Sequence, residues 1–425
     1  MIEIETRLQE LSEMGLRRRT RLVSGPQGPH VIIDGKPVLL LCSSNYLGLA
    51  DHPRVRQAAG EAAMRWGVGA GAARVVSGTM TIHRRLEDRL AAFIGRERAL
   101  LFGSGYLAGA GAIAALARPG DVVFSDELNH AALVDGCRLS RAEVFVYEHG
   151  DSEHLQWGIE RAEGRGALIA TDSVFGLDGD LAPLADIVEL GQAYGVRVLV
   201  NEAHAIGALG PGGRGALAQL GLEEDVDVIV GTLSSALGSY GAFVACDRTM
   251  ATYLTNAART FMYSSALAPP AAAGALAALD IVAQRPRLID RLQANAAVLR
   301  DELARQGFAG QPSDAHIVPL AVGDAHLTGR VCEEALQRGV FVQAVRPPTV
   351  PAGSARLRLA VMASHREAEL RGAARTLAAA VHATGREPAD LTAVAREPAG
   401  HAGGEETWQP EAGRASVFDF EAAAA

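Results

Sequence analysis

The residues Val196-Arg-Val-Leu-Val-Asn-Glu-Ala-His204 contain the pattern that decides the fold. Four of the first five residues are apolar, and the run ends abruptly in Asn201 and Glu202. A short apolar run followed at once by polar side chains predicts a buried strand. The polar residues after it would lie at the carboxyl end of that strand, where α/β proteins bind their ligands.

Similar runs lie on both sides of this one and alternate with helical patterns. The predicted strands are residues 99–102, 121–124, 144–147, 167–171, 226–230 and 241–245, and predicted helices at 84–93 and 107–117 precede the first two. This alternation predicts an α/β fold with a largely parallel sheet covered on both faces. The residues that follow each strand are therefore the candidates for a site.

The composition and pattern divide the chain into four predicted parts. They are an N-terminal arm at 1–45, a large domain at 46–285, a small C-terminal α+β domain at 286–385 and a tail at 386–425. The arm would contain a polar helix at 7–21 and a hairpin that turns at Asp34 and Gly35. The tail is rich in Ala, Gly, Pro and Glu, so we expect it to be disordered. The largely apolar segment Val417-Phe-Asp-Phe420 leaves open a docking role.

Charge and cysteine content exclude several classes of function. The 40 Lys and Arg residues against 49 Asp and Glu give a net charge of −9, which argues against nucleic-acid or anionic-membrane partners. No apolar run is long enough to span a bilayer, and the acidic N-terminus does not resemble a secretory signal, so a cytoplasmic location is predicted. The four cysteines are far apart, which indicates neither a metal site nor a disulfide framework.

Lysine is almost missing from the chain. Of the 40 basic residues, Lys36 is the only lysine. Any reaction that requires a lysine therefore has one candidate, which lies at the tip of the predicted hairpin.

Many segments together resemble the α-oxoamine synthases, fold-type I pyridoxal 5′-phosphate (PLP) enzymes that condense an amino acid with an acyl thioester. This family includes aminooxononanoate synthase, aminoketobutyrate CoA ligase, aminolaevulinate synthase and serine palmitoyltransferase. The similar segments are residues 42–49, 67–78, 101–108, 125–131, 171–183, 200–207, 231–241, 263–270, 343–351 and 356–365, and the resemblance covers roughly 5–384. It implies a large domain with a mostly parallel seven-stranded sheet, a smaller C-terminal domain and a dimer.

The resemblance also implies roles for individual residues. The cofactor-binding positions would be Gly105, Tyr106, His130, Asn201, His204, Thr232 and Ser265, the last reaching into a partner subunit's site. His130 would stack on the cofactor ring, and His204 would face the phenolic oxygen of that ring. The substrate-binding positions would be Ser44, Asn45, Arg346, Thr349 and Arg358. Arg346 and Thr349 would border the entrance for the acyl thioester.

The chain departs from the family where the cofactor chemistry occurs. The lysine motif is replaced by Gly231-Thr-Leu-Ser-Ser-Ala-Leu-Gly238, which places Ser235 at the Schiff-base position. A serine hydroxyl cannot form an imine. Asn201 stands where the family has an aspartate that keeps the ring nitrogen protonated, and a neutral amide cannot do this. Gly176 replaces a serine near the ring oxygen.

Three hypotheses follow. The first is a PLP-independent acyltransferase without a cofactor, in which His204 or His130 is the general base. In one variant of this hypothesis, Ser235 is a nucleophile activated by His204. The second is a non-catalytic subunit that pairs with a lysine-bearing paralogue in a heterodimer. The third is an enzyme that binds PLP, or its amine form PMP, non-covalently.

Overall fold

The N-terminal arm begins with a short helix and a small sheet in this computed structural model, which describes residues 3–309 and 313–391. Its elements are α1 (Ile4–Glu13), β1 (Val23–Ser24), β2 (His30–Ile33) and β3 (Lys36–Leu40). The hairpin prediction is confirmed, because Asp34 and Gly35 both turn the chain with positive φ. The predicted helix at 7–21 is too long. It ends at Glu13 because Gly15 adopts a left-handed conformation with φ 68°.

The large domain is built on a seven-stranded sheet, as predicted. Its strands are β4 (Arg98–Phe102), β5 (Val122–Asp126), β6 (Glu143–Tyr147), β7 (Gly166–Asp172), β8 (Arg197–Asn201), β9 (Val228–Thr232) and β10 (Ala242–Cys246), in the order β4-β10-β9-β8-β7-β5-β6. Strand β10 is antiparallel to both of its neighbours, and the other pairings are parallel. Every residue of β5, β9 and β10 is buried, which confirms that both faces of the sheet are covered.

Helices cover the sheet and lead into the small domain. They are α2 (Pro53–Trp66), α3 (Thr81–Ile94), α4 (Gly105–Leu116), α5 (Ala131–Ser140), α6 (Ser152–Arg161), α7 (Leu184–Tyr194), α8 (Ala216–Leu220), α9 (Arg248–Ala257), α10 (Arg259–Met262) and α11 (Pro269–Gln284). A π-helical turn, Arg74–Gly78, precedes α3. The start of each crossover helix lies near the carboxyl end of the preceding strand, so the loops there form one edge that is open to ligands.

The small domain contains a three-stranded antiparallel sheet covered by helices. Its elements are α12 (Arg287–Arg305), β11 (Ile317–Gly323), α13 (Ala325–Gln337), β12 (Val340–Phe341), β13 (Gln343–Val345), β14 (Ala355–Ala360) and α14 (Glu367–His382). The sheet order is β11-β14-β13, and β12 instead joins β3 of the arm. This pairing ties the arm to the small domain and places the 346–351 loop beside the large domain.

The tail prediction is wrong at its start. The short 3₁₀ helix Pro388–Asp390 and Leu391, which is 4% exposed, pack onto the domain instead of being disordered. The rest of the predicted tail, 392–425, lies outside the described residues. Within 3–309 and 313–391, the helices are too short or too polar to span a membrane. The cytoplasmic location stays a prediction.

Candidate active site

A cavity of about 320 Å³ opens where the large domain meets the small domain. Its walls come from the ends of β5 and β7, the start of α5, the 172–178 loop, and the 349–351 loop with β14. The lining residues that bear on function are Cys42, Ser44, His130, Asp172, Gly176, His204, Thr349, Pro351, Arg356 and Arg358. The structure therefore brings His130, His204, Ser44, Thr349 and Arg358 together, as the sequence predicts.

The orientation of His204 is fixed by a hydrogen-bonded chain. Its Nδ1 lies 2.8 Å from the hydroxyl of Tyr46, which is fully buried. Nη2 of Arg358 donates to the same hydroxyl at 3.3 Å. A guanidinium has only donors, so the Tyr46 oxygen accepts from Arg358 and its proton serves His204 Nδ1. The reverse assignment would leave a buried hydroxyl proton without an acceptor.

His204 is consequently a neutral ring with its proton on Nε2. Burial, together with the charges of Arg358, His316 and His130, holds the pKa of His204 well below its usual value. Because Nδ1 accepts from Tyr46, the neutral ring carries its proton on Nε2. Nε2 faces Gly176 in the cavity wall, where a β-carbon would lie only 2.4 Å from it. His204 thus presents a hydrogen-bond donor to the cavity.

His130 presents a second donor of the same kind. It caps α5, and its Nδ1 accepts from the backbone N–H of Ala132 at 3.1 Å. Desolvation by the surrounding protein lowers the pKa of His130, although the residue keeps an exposed surface, and the charge of Asp135 only partly offsets this. The neutral ring therefore also carries its proton on Nε2. This arrangement differs from the general-base role expected for either histidine, since a base needs a free lone pair.

Asp172 directly follows the apolar run at 167–171, where the sequence predicts site candidates, but no role was predicted for it. It ends β7 in register with Asn201 at the end of β8. Its Oδ1 accepts from the Asn201 side-chain amide at 2.6 Å, and its Oδ2 accepts from the His130 backbone N–H at 2.6 Å. The carboxylate is only 2% exposed, yet it lines the cavity.

The residues expected to hold a cofactor phosphate keep a suitable arrangement. Helix α4 begins at Gly105, so the N–H groups of Gly105 and Tyr106 have no acceptor within the helix and can face an anion. A β-carbon at Gly105 would lie 4.0 Å from the Thr232 side chain, which places the end of β9 against the start of α4. The phosphate end of a PLP site therefore fits these residues.

The covalent end of such a site does not fit. Lys36 is exposed at the first residue of β3, and it is not among the residues that line the cavity. Ser235 is 5% exposed and supplies no amine. Among the described residues, no hydrogen bond joins Ser235 to His204, whose Nδ1 is engaged by Tyr46. The proposed Ser235–His204 pair is therefore not formed, because the histidine is oriented by a different partner.

Two other predicted substrate residues serve structural roles. The Asn45 amide donates to the Gln27 carbonyl at 3.0 Å and accepts from the Ala50 N–H at 3.1 Å, so both of its polar groups hold the loop. Arg346 donates to the Gly15 carbonyl and does not line the cavity. Both assignments to substrate are corrected, because each side chain points to backbone partners in the arm or loop.

The loop at 346–351 is held by an arginine that the sequence pattern did not single out. Nη2 of Arg18 donates to the Thr349 hydroxyl at 3.2 Å and to the Pro347 carbonyl at 3.4 Å. Thr349, Val350 and Pro351 line the cavity. The N-terminal arm thus positions one wall of the site.

The Cys42 thiol also lines the cavity. Burial raises the pKa of the Cys42 thiol to about 12, so it stays protonated and is a poor nucleophile. Ser265 lies at the surface of this chain, bridged to Ala73, and its role in a partner subunit's site stays a prediction. Across the described residues, no group of three or more His, Cys, Asp or Glu side chains is arranged to hold a metal ion.

Comparisons with known proteins show the family and the fold. Residues 36–377 match the sequence model of the family "Aminotransferase class I and II". An 8-amino-7-oxononanoate synthase from Geobacter sulfurreducens is 48% identical over 374 residues, covering 87% of this chain and 96% of that protein. The enzyme of the same name from Citrifermentans bemidjiense is 47% identical over 370 residues, covering 86% of this chain and 95% of that protein.

Solved structures give the same result. Sphingomonas wittichii serine palmitoyltransferase superposes with a TM-score of 0.86 at 30% identity, covering 91% of this chain and 98% of that one. A structure of SPT with PLP superposes with a TM-score of 0.85 at 31% identity, covering 90% and 97% of the two chains. A neighbour that holds PLP gives no support to the expectation that this chain takes no cofactor. The sequence match, the identities and the shared architecture show that the chain is a transferase of the class I and II aminotransferase family and, within it, belongs with the α-oxoamine synthases.

Proposed function

We propose that the protein is an acyltransferase that accepts the acyl group of a coenzyme A or carrier-protein thioester without an imine between its own chain and PLP. The observation that carries this proposal is the cavity between the two Nε2–H donors of His130 and His204 and the loop at 349–351. No lysine lines that cavity. The cavity thus offers groups that can bind an acyl thioester, but it offers no lysine amine that could form an imine with PLP.

The two histidines would stabilise the charge that develops on the thioester carbonyl. When a nucleophile attacks, the carbonyl oxygen becomes an oxyanion, and preorganised N–H donors lower the energy of that state. His130 and His204 are both neutral, so neither loses a proton to serve this role. The loss of one such donor typically costs about 10²–10³-fold in kcat.

The acyl acceptor would be an amine, a hydroxyl or a carbon nucleophile. Ser235 is not part of this proposal, because among the described residues no hydrogen bond joins it to His204, whose Nδ1 is engaged by Tyr46. Arg358 is engaged by Tyr46 and the Gly176 carbonyl, yet it still lines the cavity. It therefore stays the proposed site for a carboxylate on the acceptor.

A second candidate is an enzyme that holds PLP or PMP non-covalently. The retained arrangement of Gly105, Tyr106 and Thr232 favours it, because these groups suit a phosphate. When bound, PLP supplies an electron sink for carbanions. With Asn201 donating to Asp172, this chain offers the ring nitrogen no carboxylate of its own at position 201.

We also infer a homodimer, with the heterodimer as its alternative. Val76 is 76% exposed and Tyr263 is 69% exposed, and both flank the bridge between Ala73 and Ser265. Large apolar side chains exposed together commonly mark a protein interface. Light scattering of the purified chain tests this: a mass of two chains supports the homodimer, and a monomer that dimerises only with a lysine-bearing paralogue supports the subunit hypothesis.

The function is tested by release of free thiol from octanoyl-CoA, with a mixture of amino acids and amines as acceptors. We expect protein-dependent thiol release and an acylated product seen by mass spectrometry. A rate no higher than that of the buffer would contradict acyl transfer from a CoA thioester. Repeating the assay with an octanoyl carrier protein distinguishes the two kinds of donor.

A further inference from the structure

The carboxylate of Asp172 lines the same cavity as the two neutral histidines. Its two oxygens are held by donors from different elements, Asn201 at the end of β8 and the backbone of His130 at the start of α5. Each oxygen accepts one of these bonds and keeps a second lone pair, because a carboxylate oxygen has two. Asp172 is thus oriented and still able to accept a proton from a bound molecule.

Two opposing effects set the protonation of Asp172. Burial raises its pKa, the hydrogen bonds from His130 and Asn201 lower it, and the charges of Asp126 and Asp180 raise it, to about 7. His149 bridges these two carboxylates, with Nδ1 2.9 Å from Asp126 and Nε2 2.6 Å from Asp180. Of the other titratable groups that line the cavity, His130 and His204 are neutral and the Cys42 thiol stays protonated. The remaining charged lining residues are Glu127, Asp178, which pairs with Arg356, and Arg358, which donates to Tyr46 and to the Gly176 carbonyl. A base with a pKa near neutrality is the most effective at neutral pH.

Asn201 allows Asp172 to ionise near neutral pH. Its amide donates to Oδ1 of Asp172 at 2.6 Å. A carboxylate at position 201 would place two like charges at that distance, and only one of them could ionise near neutral pH. The asparagine instead leaves Asp172 as a single carboxylate with a donor at its side.

We propose that Asp172 is the general base of the acyl transfer and that Asn201 is the residue that positions it. This inference rests on the proposed function. Asp172 would take the proton from the acceptor X–H as X attacks the thioester carbonyl. The tetrahedral intermediate then collapses, the C–S bond breaks, and the carboxyl of Asp172 returns the proton to the departing thiolate. The products are the acylated acceptor and a free thiol, and Asp172 is regenerated.

The protonation of Asp172 is measured first, without substrate, by infrared titration of the protonated-carboxyl band between pH 5 and 9. Burial also raises the pKa of Glu202 to about 7, so the Asp172 band is assigned by its loss in Asp172→Asn. We expect a band that titrates near pH 7 and moves to higher pH in Asn201→Ala, because the donor that favours the charged form is gone. If the same spectrum is obtained for wild-type protein and Asp172→Asn, the inference is overturned.

Thiol release from octanoyl-CoA is then followed over the same pH range. We expect the rate to rise with pH through about 7. The rate should fall about 10²–10⁴-fold in Asp172→Asn. In Asn201→Ala, the acid limb of the pH–rate profile should move to higher pH. The matched control is Asp186→Asn on the exposed side of α7, which should keep the wild-type rate and profile. Wild-type rates in Asp172→Asn would overturn the base assignment alone. The lack of thiol release by wild-type protein would overturn the proposed function as well, and the infrared band identifies which step failed.

Discussion

A β-carbon at position 176 would lie 2.4 Å from Nε2 of His204, which is closer than a van der Waals contact. The absence of a side chain at Gly176 therefore leaves room for the imidazole ring. The Gly176 carbonyl also accepts from Nε of Arg358, whose Nη2 donates to Tyr46. The glycine, the arginine, the tyrosine and the histidine therefore form one connected unit. A side chain at 176 is incompatible with the observed ring position unless the ring moves.

Gly176→Ala is expected to displace the His204 ring and remove one donor from the cavity. Thiol release from octanoyl-CoA should fall about 10²-fold, the effect of losing one oxyanion donor. The control is Gly60→Ala in α2, where an added β-carbon meets nothing within 4 Å. That variant should keep its rate and gain about 0.5–1 kcal/mol in unfolding free energy. An unchanged rate in Gly176→Ala would show that the position of His204 does not matter.

Tyr46→Phe is expected to let the neutral His204 ring carry its proton on either nitrogen. The variant removes the hydroxyl that lies 2.8 Å from Nδ1 and accepts from Arg358 Nη2, at a cost of about 1–3 kcal/mol in unfolding free energy. The ¹⁵N spectrum of labelled histidines should change from a protonated Nε2 to a mixture of both tautomers. Tyr253→Phe, which loses a bond to the Ala115 carbonyl, should cost stability without altering that spectrum. A mixed tautomer already present in wild-type protein would contradict the assignment.

His149→Gln is expected to change how stability depends on pH. Burial alone would lower the pKa of His149, but hydrogen bonds and charges from Asp126 and Asp180 raise it to about 10. Because this value exceeds the ordinary 6.5, the stability that His149 contributes is full below pH 6.5 and is lost as the pH rises through about 10. Urea unfolding should show His149→Gln to be less stable by about 3–5 kcal/mol at pH 6. The difference should shrink toward pH 10, while His382→Gln, whose side chain is 53% exposed, follows the wild-type curve.

Arg18→Ala is expected to loosen the wall formed by the loop at 349–351. Arg18 is the described side chain that donates to both Thr349 and Pro347, so its loss should raise KM for octanoyl-CoA several-fold with a smaller change in kcat. Arg17→Ala, an exposed neighbour, is the control for loss of one positive charge. An equal rise in KM in both variants would indicate that the loss of one positive charge, and not the position of the loop at 349–351, causes the effect.

Much of the fold could be predicted from local sequence. The apolar run before Asn201 became β8, and its neighbours became strands within two residues of their predicted ends. Such runs are informative because a strand buried on both faces must be apolar throughout. Helix ends were less predictable: the polar pattern to Arg21 gave no sign that Gly15 would turn the chain at φ 68°.

The site could be predicted in part, and the reason is the distance between partners in the chain. Polar residues after each strand, such as His204, do meet at one edge of the sheet. Hydrogen-bond partners such as Tyr46 and Asp172, however, are contributed by other elements. The sequence places Asn45 and Arg346 in the right segments, but it does not specify which way their side chains point.

Acyl transfer without PLP is tested by thiol release from octanoyl-CoA with purified protein, measured in PLP-free buffer and again with saturating PLP. We expect the same rate in both conditions, because the proposed reaction uses the histidine donors and Asp172 of this chain. Thiol release that occurs only with PLP would contradict it and would favour the enzyme that holds PLP non-covalently.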